Sequence, residues 1–531
     1  MFLYKPGKKS YEFELKQDKN KSTFISDIVN VSDDIDENKK YVKKLFNTDI
    51  NNDIITRDIV IYAGDKKRKA VLYSVDGLVN KQLINENILE PLMRFKDSGS
   101  GKAITADYIV NTLLPQVQVE LSENIYDTCQ KINFGNVVMF IDGINKGIIA
   151  DVKTWEHRNI GEPSSEQVIQ GPQEGFNEVL RCNTALIRKS INHSNLIVSN
   201  VILGKTSKTP GSLLYISNVA NGNLINEVKR RIENIDCEYI LSILDVEQYI
   251  EEATFLPIPQ MITTERPDRV CKSLVEGRVV LILNGSSHAL IMPATFFDLA
   301  SSVEDSYLRY PYSLLIRIVR FFAVLISVLT PGVFVAITQY HQDLILNDLF
   351  LSIQASRIGV PFSIIFELLI MELSFELIRE AGVRVPGHIG STLGIVGGLI
   401  LGTAAVDANI VSPLMIIVVA ITGIASFAIP SYSLSFSLRF SRFIYVFGAA
   451  MCGFPGMLSL LFANTLMYIG TKSFGVPMFT PVAPEQKRGI FDALLRKPIW
   501  KQDIRPEYLK PKDKREKAHI SRKWLGGFKD D

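Results

Sequence analysis

Four glutamates stand where acids are costly. The stretch Pro361-Phe-Ser-Ile-Ile-Phe-Glu-Leu-Leu-Ile-Met-Glu-Leu-Ser-Phe-Glu-Leu-Ile-Arg-Glu380 is otherwise apolar, yet it carries Glu367, Glu372, Glu376 and Glu380. Spacings of five, four and four place them on roughly one face of a helix. A charge at bilayer depth costs roughly 2.5–3.5 kcal/mol on insertion scales, so such side chains face protein, water or a partner. Glu367, Glu372 and Glu376 are therefore candidates for a cation pathway or a subunit contact. The structural alternative is that Glu376 and Glu380 sit at the interface and pair with Arg379 or Arg384. Just downstream, Gly390, Gly394, Gly397, Gly398 and Gly402 repeat the GxxxG spacing that lets helices approach closely. That face either packs tightly within the chain or surrounds a narrow pore in an oligomer. A third feature is Gly453-Phe-Pro-Gly456, in the middle of a long apolar run. Gly453, Pro455 and Gly456 there kink the helix or turn it back as a hairpin.

Enzyme signatures fail. Ser98-Gly-Ser-Gly-Lys102 resembles a phosphate loop, but Lys96 stands where the first glycine belongs and Ala103 where the Mg²⁺-binding hydroxyl belongs. The six histidines are isolated, and neither HExxH nor GxSxG occurs. The five cysteines are scattered without a CxxC pair, which reads as buried thiols in a reducing compartment. No catalytic residue, cofactor or metal is expected. The start, Met1–Asn20, is polar and lacks the apolar core of a signal peptide.

The elements that must hold these residues follow from where the charge lies. The 531 residues carry a net charge of +2, which excludes a strongly basic nucleic-acid binder. Residues 1–312 carry −5 and residues 472–531 carry +7. Residues 313–471 hold seven acids, seven arginines and no lysine. The expected fold is multi-domain: a soluble N-terminal half of two α/β (α+β) subdomains, an all-α polytopic membrane domain and a short basic tail. The boundaries are 1–56 (flexible, charged), 57–160, 161–312, 313–471 and 472–531. The apolar segments are Leu314–Ile337, Pro361–Ile378, Pro386–Val406, Ile410–Ile429 and Phe443–Ile469, most near the ~20 residues of a spanning helix. Arg317, Arg320, Arg379, Arg384, Arg439, Arg442 and Lys472 mark one side as cytoplasmic. Five simple crossings put the basic tail on the wrong side. Either the last segment turns back at Gly453–Gly456 or another segment is not a simple span; both give an inside tail and an even number of crossings.

In the soluble half, Asp58–Ala63, Ala70–Val75, Val137–Ile141, Gly147–Val152, Leu196–Leu203, Leu213–Val219, Arg278–Asn284 and Ala289–Pro293 read as strands. Leu78–Phe95, Glu178–Ile191 and Asn221–Asn234 have helical spacing.

Pro331-Gly-Val-Phe-Val-Ala-Ile337, Leu351-Ser-Ile-Gln-Ala-Ser-Arg-Ile-Gly-Val-Pro-Phe362 and Met371-Glu-Leu-Ser-Phe-Glu-Leu-Ile-Arg-Glu-Ala-Gly-Val-Arg-Val-Pro386 strongly resemble the GerA family, the A subunits of spore germinant receptors. Gly171–Arg181, Thr264–Asp268, Val411–Met415 and Ile424–Ser433 fit the same pattern, so the resemblance runs from about Ile160 to Ile469. It implies a multi-pass protein of the spore inner membrane, with head and tail on the core side. Its partners would be a multi-spanning, transporter-like B subunit, a lipoprotein C subunit, further copies of itself, the lipid bilayer and monovalent cations, but no nucleic acid. Its function would be a nutrient-gated cation-release channel. A nutrient-binding transporter and a membrane-anchored signalling scaffold are the alternatives; the carboxylates argue against a pure anchor.

Overall fold

The computed structural model describes residues 13–17, 29–63, 66–95, 105–153, 163, 166–384, 388–485 and 497–517. The phosphate-loop-like Ser98–Lys102 lies outside them.

The first sheet contains β1 (Ile54–Ala63), β2 (Lys66–Val75), β3 (Val119–Ser122), β4 (Asn136–Ile141) and β5 (Gly147–Asp151), in the antiparallel order β1-β2-β4-β5-β3. Helices α1 (Ile35–Phe46) and α2 (Ile125–Asn133) cover one face, burying Val42, Phe46 and Ile132 against Val71, Tyr73 and Phe140. The helical stretches 81–94 and 106–113 cover the other, burying Ile88, Leu92 and Ile109 against Leu72, Met139 and Ile141. Because both faces are covered, β4 is buried at every position, and after Asn136 it reads in sequence as an unbroken apolar run.

The second sheet contains β6 (Leu196–Leu203), β7 (Thr209–Ile216), β8 (Ile262–Thr264), β9 (Val279–Leu283) and β10 (Ala289–Met292), ordered β6-β7-β9-β10-β8. Strand for strand this is the topology of the first sheet. The helices recur in the same places: α3 (Leu180–Ser190) ahead of the first strand, α4 (Gly222–Glu233) and α5 (Ile243–Ile250) between the second and third, α6 (Pro267–Glu276) between the third and fourth. The head is one unit built twice. Its halves are stitched by Arg188, which donates two bonds to Asp53 at 2.7 and 2.8 Å, and by Asn51, which accepts from Val198 N at 3.0 Å.

Two expectations change here. Residues 1–56 do not stay solvated throughout. From residue 29 the chain packs on the first sheet, because Asp34 caps α1 and the helix has an apolar face of Ile35, Val42, Leu45 and Phe46 to bury. Nor does the tail leave the molecule as a simple basic extension. Tyr508 OH accepts from Arg278 at 2.8 Å, Arg505 donates to Val275 O at 2.8 Å, and Lys512 N donates to Val219 O at 2.9 Å. Arg278 is fully buried and needs Tyr508, the Pro293 carbonyl and Asp298 to occupy its donors. The tail therefore docks on the second half of the head.

Beyond the head lies a helical block: α7 (Tyr310–Gln339), α8 (Asn347–Ser356), α9 (Ile364–Arg384), α10 (His388–Asp407), α11 (Pro413–Phe427) and α12 (Tyr432–Gly470). Two of these, α7 and α12, are long and apolar enough to cross a membrane, and α11 is a shorter apolar helix. The short α8 is absent from the apolar segments read from sequence, and the last helix begins at Tyr432, eleven residues before Phe443.

Helix α12 is broken. Cys452 (φ −137°, ψ 16°) and Gly453 (φ 64°, ψ −142°) leave helical geometry, and the chain reverses there. Ser441 Oγ meets Tyr468 OH at 3.0 Å and Asn464 donates to Tyr445 OH at 2.6 Å, so the legs run antiparallel. They touch backbone to backbone one turn from the apex, where a Cβ on Gly448 would lie 2.9 Å from the Gly456 carbonyl. Pro455 sits in the first turn of the second leg, where its missing N–H costs nothing. Of the kink or hairpin that Gly453, Pro455 and Gly456 allow, the backbone takes the hairpin. Tyr340, just past the end of α7, donates to the Ala450 and Met451 carbonyls at 2.6 and 3.0 Å, satisfying acceptors that the break orphans.

The remaining directions follow from contacts. Helix α7 leaves the head: Ser313 donates to Asp305 O at 2.8 Å. Helix α9 returns, since Glu372 meets Arg442 and Glu376 meets Arg439 in reverse order along the first leg of α12. Helix α11 runs parallel to α9, with Glu367 at Ser412 and Arg379 at Ser426. The second leg of α12 ends back at the head, where Ser473 donates to Gln260 O at 2.5 Å. Among the described contacts, α7 and the first leg of α12 therefore lead away from the head, and α9, α11 and the second leg of α12 lead toward it.

Candidate functional site

Three glutamates of α9 form a column inside the helical block. Glu367, buried at the end farther from the head, accepts from Arg357 at 2.9 Å and from the backbone N–H of Ser412 at 3.0 Å. Ser412 is the N-cap of α11, so this carboxylate caps a neighbouring helix where the dipole favours negative charge. One turn and a half along, Glu372 accepts from Arg442 at 2.7 Å, with both side chains buried. Glu376 follows, accepting from Arg439 at 2.6 Å and standing 3.5 Å from Arg379, which itself donates to Ser426 at 2.7 Å.

The column is thus three carboxylates facing four guanidiniums. In the single chain it is a set of ion pairs rather than a bare negative field. Its hydrogen bonding is incomplete: Glu372 Oε1, Arg442 Nε and Arg379 Nε are buried without a partner among the described residues. Buried polar atoms are rarely left so, and each costs about 1–3 kcal/mol.

Three of the four guanidiniums, Arg357, Arg439 and Arg442, are partners that the sequence reading does not supply. From sequence, Arg439 and Arg442 mark the cytoplasmic side, Arg357 carries no signal of its own, and Arg379 or Arg384 are the partners expected for Glu376 and Glu380. The signal was present in two forms. Arg439 and Arg442 are three apart on one helix, matching Glu372 and Glu376 four apart on another. The seven acids and seven arginines of residues 313–471 balance, as charges paired in an apolar setting must.

The glycine face is placed differently. Gly402 faces Ile416 of α11, where a Cβ would sit at an ordinary 3.6 Å. A Cβ on Gly397 or Gly398 would meet nothing within 4 Å among the described residues. The surroundings of Gly390 and Gly394 lie outside the described residues. At Gly397 and Gly398 the small side chains are therefore not required by packing against the described residues.

A duplicated α/β head, fixed to an antiparallel block of apolar helices that carries a buried ion-paired column, defines a two-part protein whose second part is built for an apolar surrounding. The family model of the Bacillus/Clostridium GerA spore germination proteins matches residues 40–508, and the chain belongs to that family. Spore germination protein KA of Bacillus subtilis (strain 168) is 38% identical over 499 residues, covering 94% of this chain and 90% of that protein. Spore germination protein GerLA of Bacillus cereus is 36% identical over 462 residues, covering 87% and 93%. Among solved structures, the crystal structure of the N-terminal domain of the A subunit of the Bacillus megaterium spore germinant receptor GerK3 is similar to 51% of this chain. It is 26% identical, with 98% of that chain covered and a TM-score of 0.38.

Proposed function

We propose that this chain is the A subunit of a nutrient germinant receptor in the spore inner membrane. In this reading the helical block crosses the bilayer, head and tail lie on the core side, and the chain works with a B and a C subunit. Several copies assemble around the open glycine face of α10, and the assembly releases monovalent cations when nutrient is sensed. The observation that carries the conduction step is the buried, incompletely bonded column on α9. The paired arrangement is then the closed state. Moving the first leg of α12 off α9 exposes Glu372 and Glu376, which attract cations as acidic rings do in cation channels.

The transporter reading needs a helix break open to ligand. Here the break at Cys452–Gly453 is filled by the chain itself: Tyr340 caps it, and the His341 ring lies 5.1 Å from Phe454.

The test is cation release and protein level measured in the same spores. Glu372→Gln keeps shape and removes charge, so cation release on nutrient addition, normalised to the amount of protein that accumulates, should change at least several-fold. Unchanged release at normal abundance, for Glu372→Gln and Glu376→Gln alike, removes the conduction role.

A further inference from the structure

An apolar groove of about 250 Å³ opens where the head meets the helical block. One wall is α7 from Arg317 to Leu329, a span of about 18 Å at the helical rise. The opposite wall is the hairpin of α12, through Leu438, Leu461 and Tyr468. The end nearest the head is closed by Phe296 and Phe479, stacked with ring centres 5.1 Å apart.

The charge in this groove lies at one end. Arg317 and Arg320 line it on the first turns of α7, beside the head, and everything deeper is apolar or hydroxyl-bearing. Both arginines share one buried carboxylate, Asp305. Arg320 binds it through two nitrogens, at 2.8 and 3.2 Å. Arg317 gives it only Nε, at 3.1 Å, so its Nη1 and Nη2 have no hydrogen-bond partner among the described residues. Two cations against one anion leave one positive charge at the head end of an apolar trough. A guanidinium fork with free donors matches a phosphate, and basic pockets between membrane helices on the cytoplasmic side suit anionic lipid headgroups.

We propose that this groove is a binding site for an anionic phospholipid, with the phosphate on Arg317 and Arg320 and an acyl chain lying along α7 between it and the hairpin. The proposal rests on the reading that the helical block lies in a membrane. A bound lipid would bridge α7 to both legs of α12, and so to the partners of the α9 column.

The full-length protein in detergent is titrated with phosphatidylglycerol, phosphatidylcholine or inorganic phosphate, and bound lipid is counted by native mass spectrometry. Phosphatidylglycerol should be retained at least tenfold better than phosphatidylcholine, and inorganic phosphate should not compete at equal concentration. Arg317→Gln, which leaves Arg320 on Asp305, should bring the preference below threefold. Thr465→Trp, which fills the groove, should abolish retention of both lipids; size exclusion and circular dichroism check that each variant folds. Equal retention of the two lipids, a preference unchanged in Arg317→Gln, or retention surviving Thr465→Trp overturns the site. So does a Leu325→Cys variant that crosslinks to another subunit in membranes and not to a lipid probe. Flotation separates this from the premise: a chain that floats with vesicles of either lipid but shows no preference loses only the site, and one that floats with neither loses the membrane reading as well.

Discussion

At the scale of single residues, the α9 column shows why a buried ion pair is an uncertain source of stability and a good candidate for a switch. Desolvating Glu372 and Arg442 is repaid only in part, since one oxygen and one nitrogen stay unbonded. Breaking the pair from one side should cost about 3–5 kcal/mol. Glu372→Gln with Arg442→Gln together should cost clearly less than the two single changes added, in thermal unfolding of the detergent-solubilised chain. Strict additivity would show that the two side chains are not coupled. A second titratable site lies in the head. Burial, with help from Glu251, pushes the Glu247 carboxyl up to about 7 from an ordinary 4.5. Its folded pKa lies above its unfolded one, so its contribution is fully present below pH 4.5 and is lost as pH rises to about 7. Glu247→Gln should therefore raise stability at pH 8 by on the order of 1–3 kcal/mol and change little at pH 4.5. A gain of the same size at both pH values contradicts this origin.

At the scale of elements, the hairpin of α12 depends on one backbone conformation. Gly453 combines φ 64° with ψ −142°, a region closed to residues with a Cβ, and such strain costs about 1–3 kcal/mol. A Cβ there would also approach the His341 ring and Tyr340. Gly453→Ala should lower stability by at least that amount, whereas Gly470→Ala, with open space around it and an ordinary φ, should be neutral. Equal melting temperatures for the two variants would refute the backbone argument. The break was legible beforehand because Gly and Pro together in an apolar run have few other uses. The pairing of the legs was not, since Ser441 with Tyr468 and Tyr445 with Asn464 are contacts across 27 and 19 residues.

At the scale of the whole molecule, the segments around Lys16 and Lys510 meet on the second half of the head. Asn221 donates to the carbonyls of Lys16 and Lys510 at 2.8 and 2.9 Å, tying residues nearly five hundred apart to one side chain. Tyr508→Ala removes the hydroxyl and ring that cover Arg278, and a buried guanidinium with lost partners costs about 1–3 kcal/mol. Limited proteolysis should then release the tail at least several-fold faster while the head stays intact. Unchanged cleavage kinetics would mean that Tyr508 does not hold it.

The sequence by itself carries the division of charge, with seven acids, seven arginines and no lysine over residues 313–471, because charge and hydropathy are local properties. It also determined most strands and helices, since hydrophobic period is local, and the break at Gly453, since backbone freedom is a property of one residue. The tertiary structure alone decided that the two halves of the head share one topology, for strand order is a matter of long-range pairing and leaves no period in the chain. It decided that the tail docks, because the need comes from Arg278, buried 230 residues away. It also decided that the glutamates of α9 face arginines. A helical face shows which residues point together, but what they point at depends on how the helices are laid side by side.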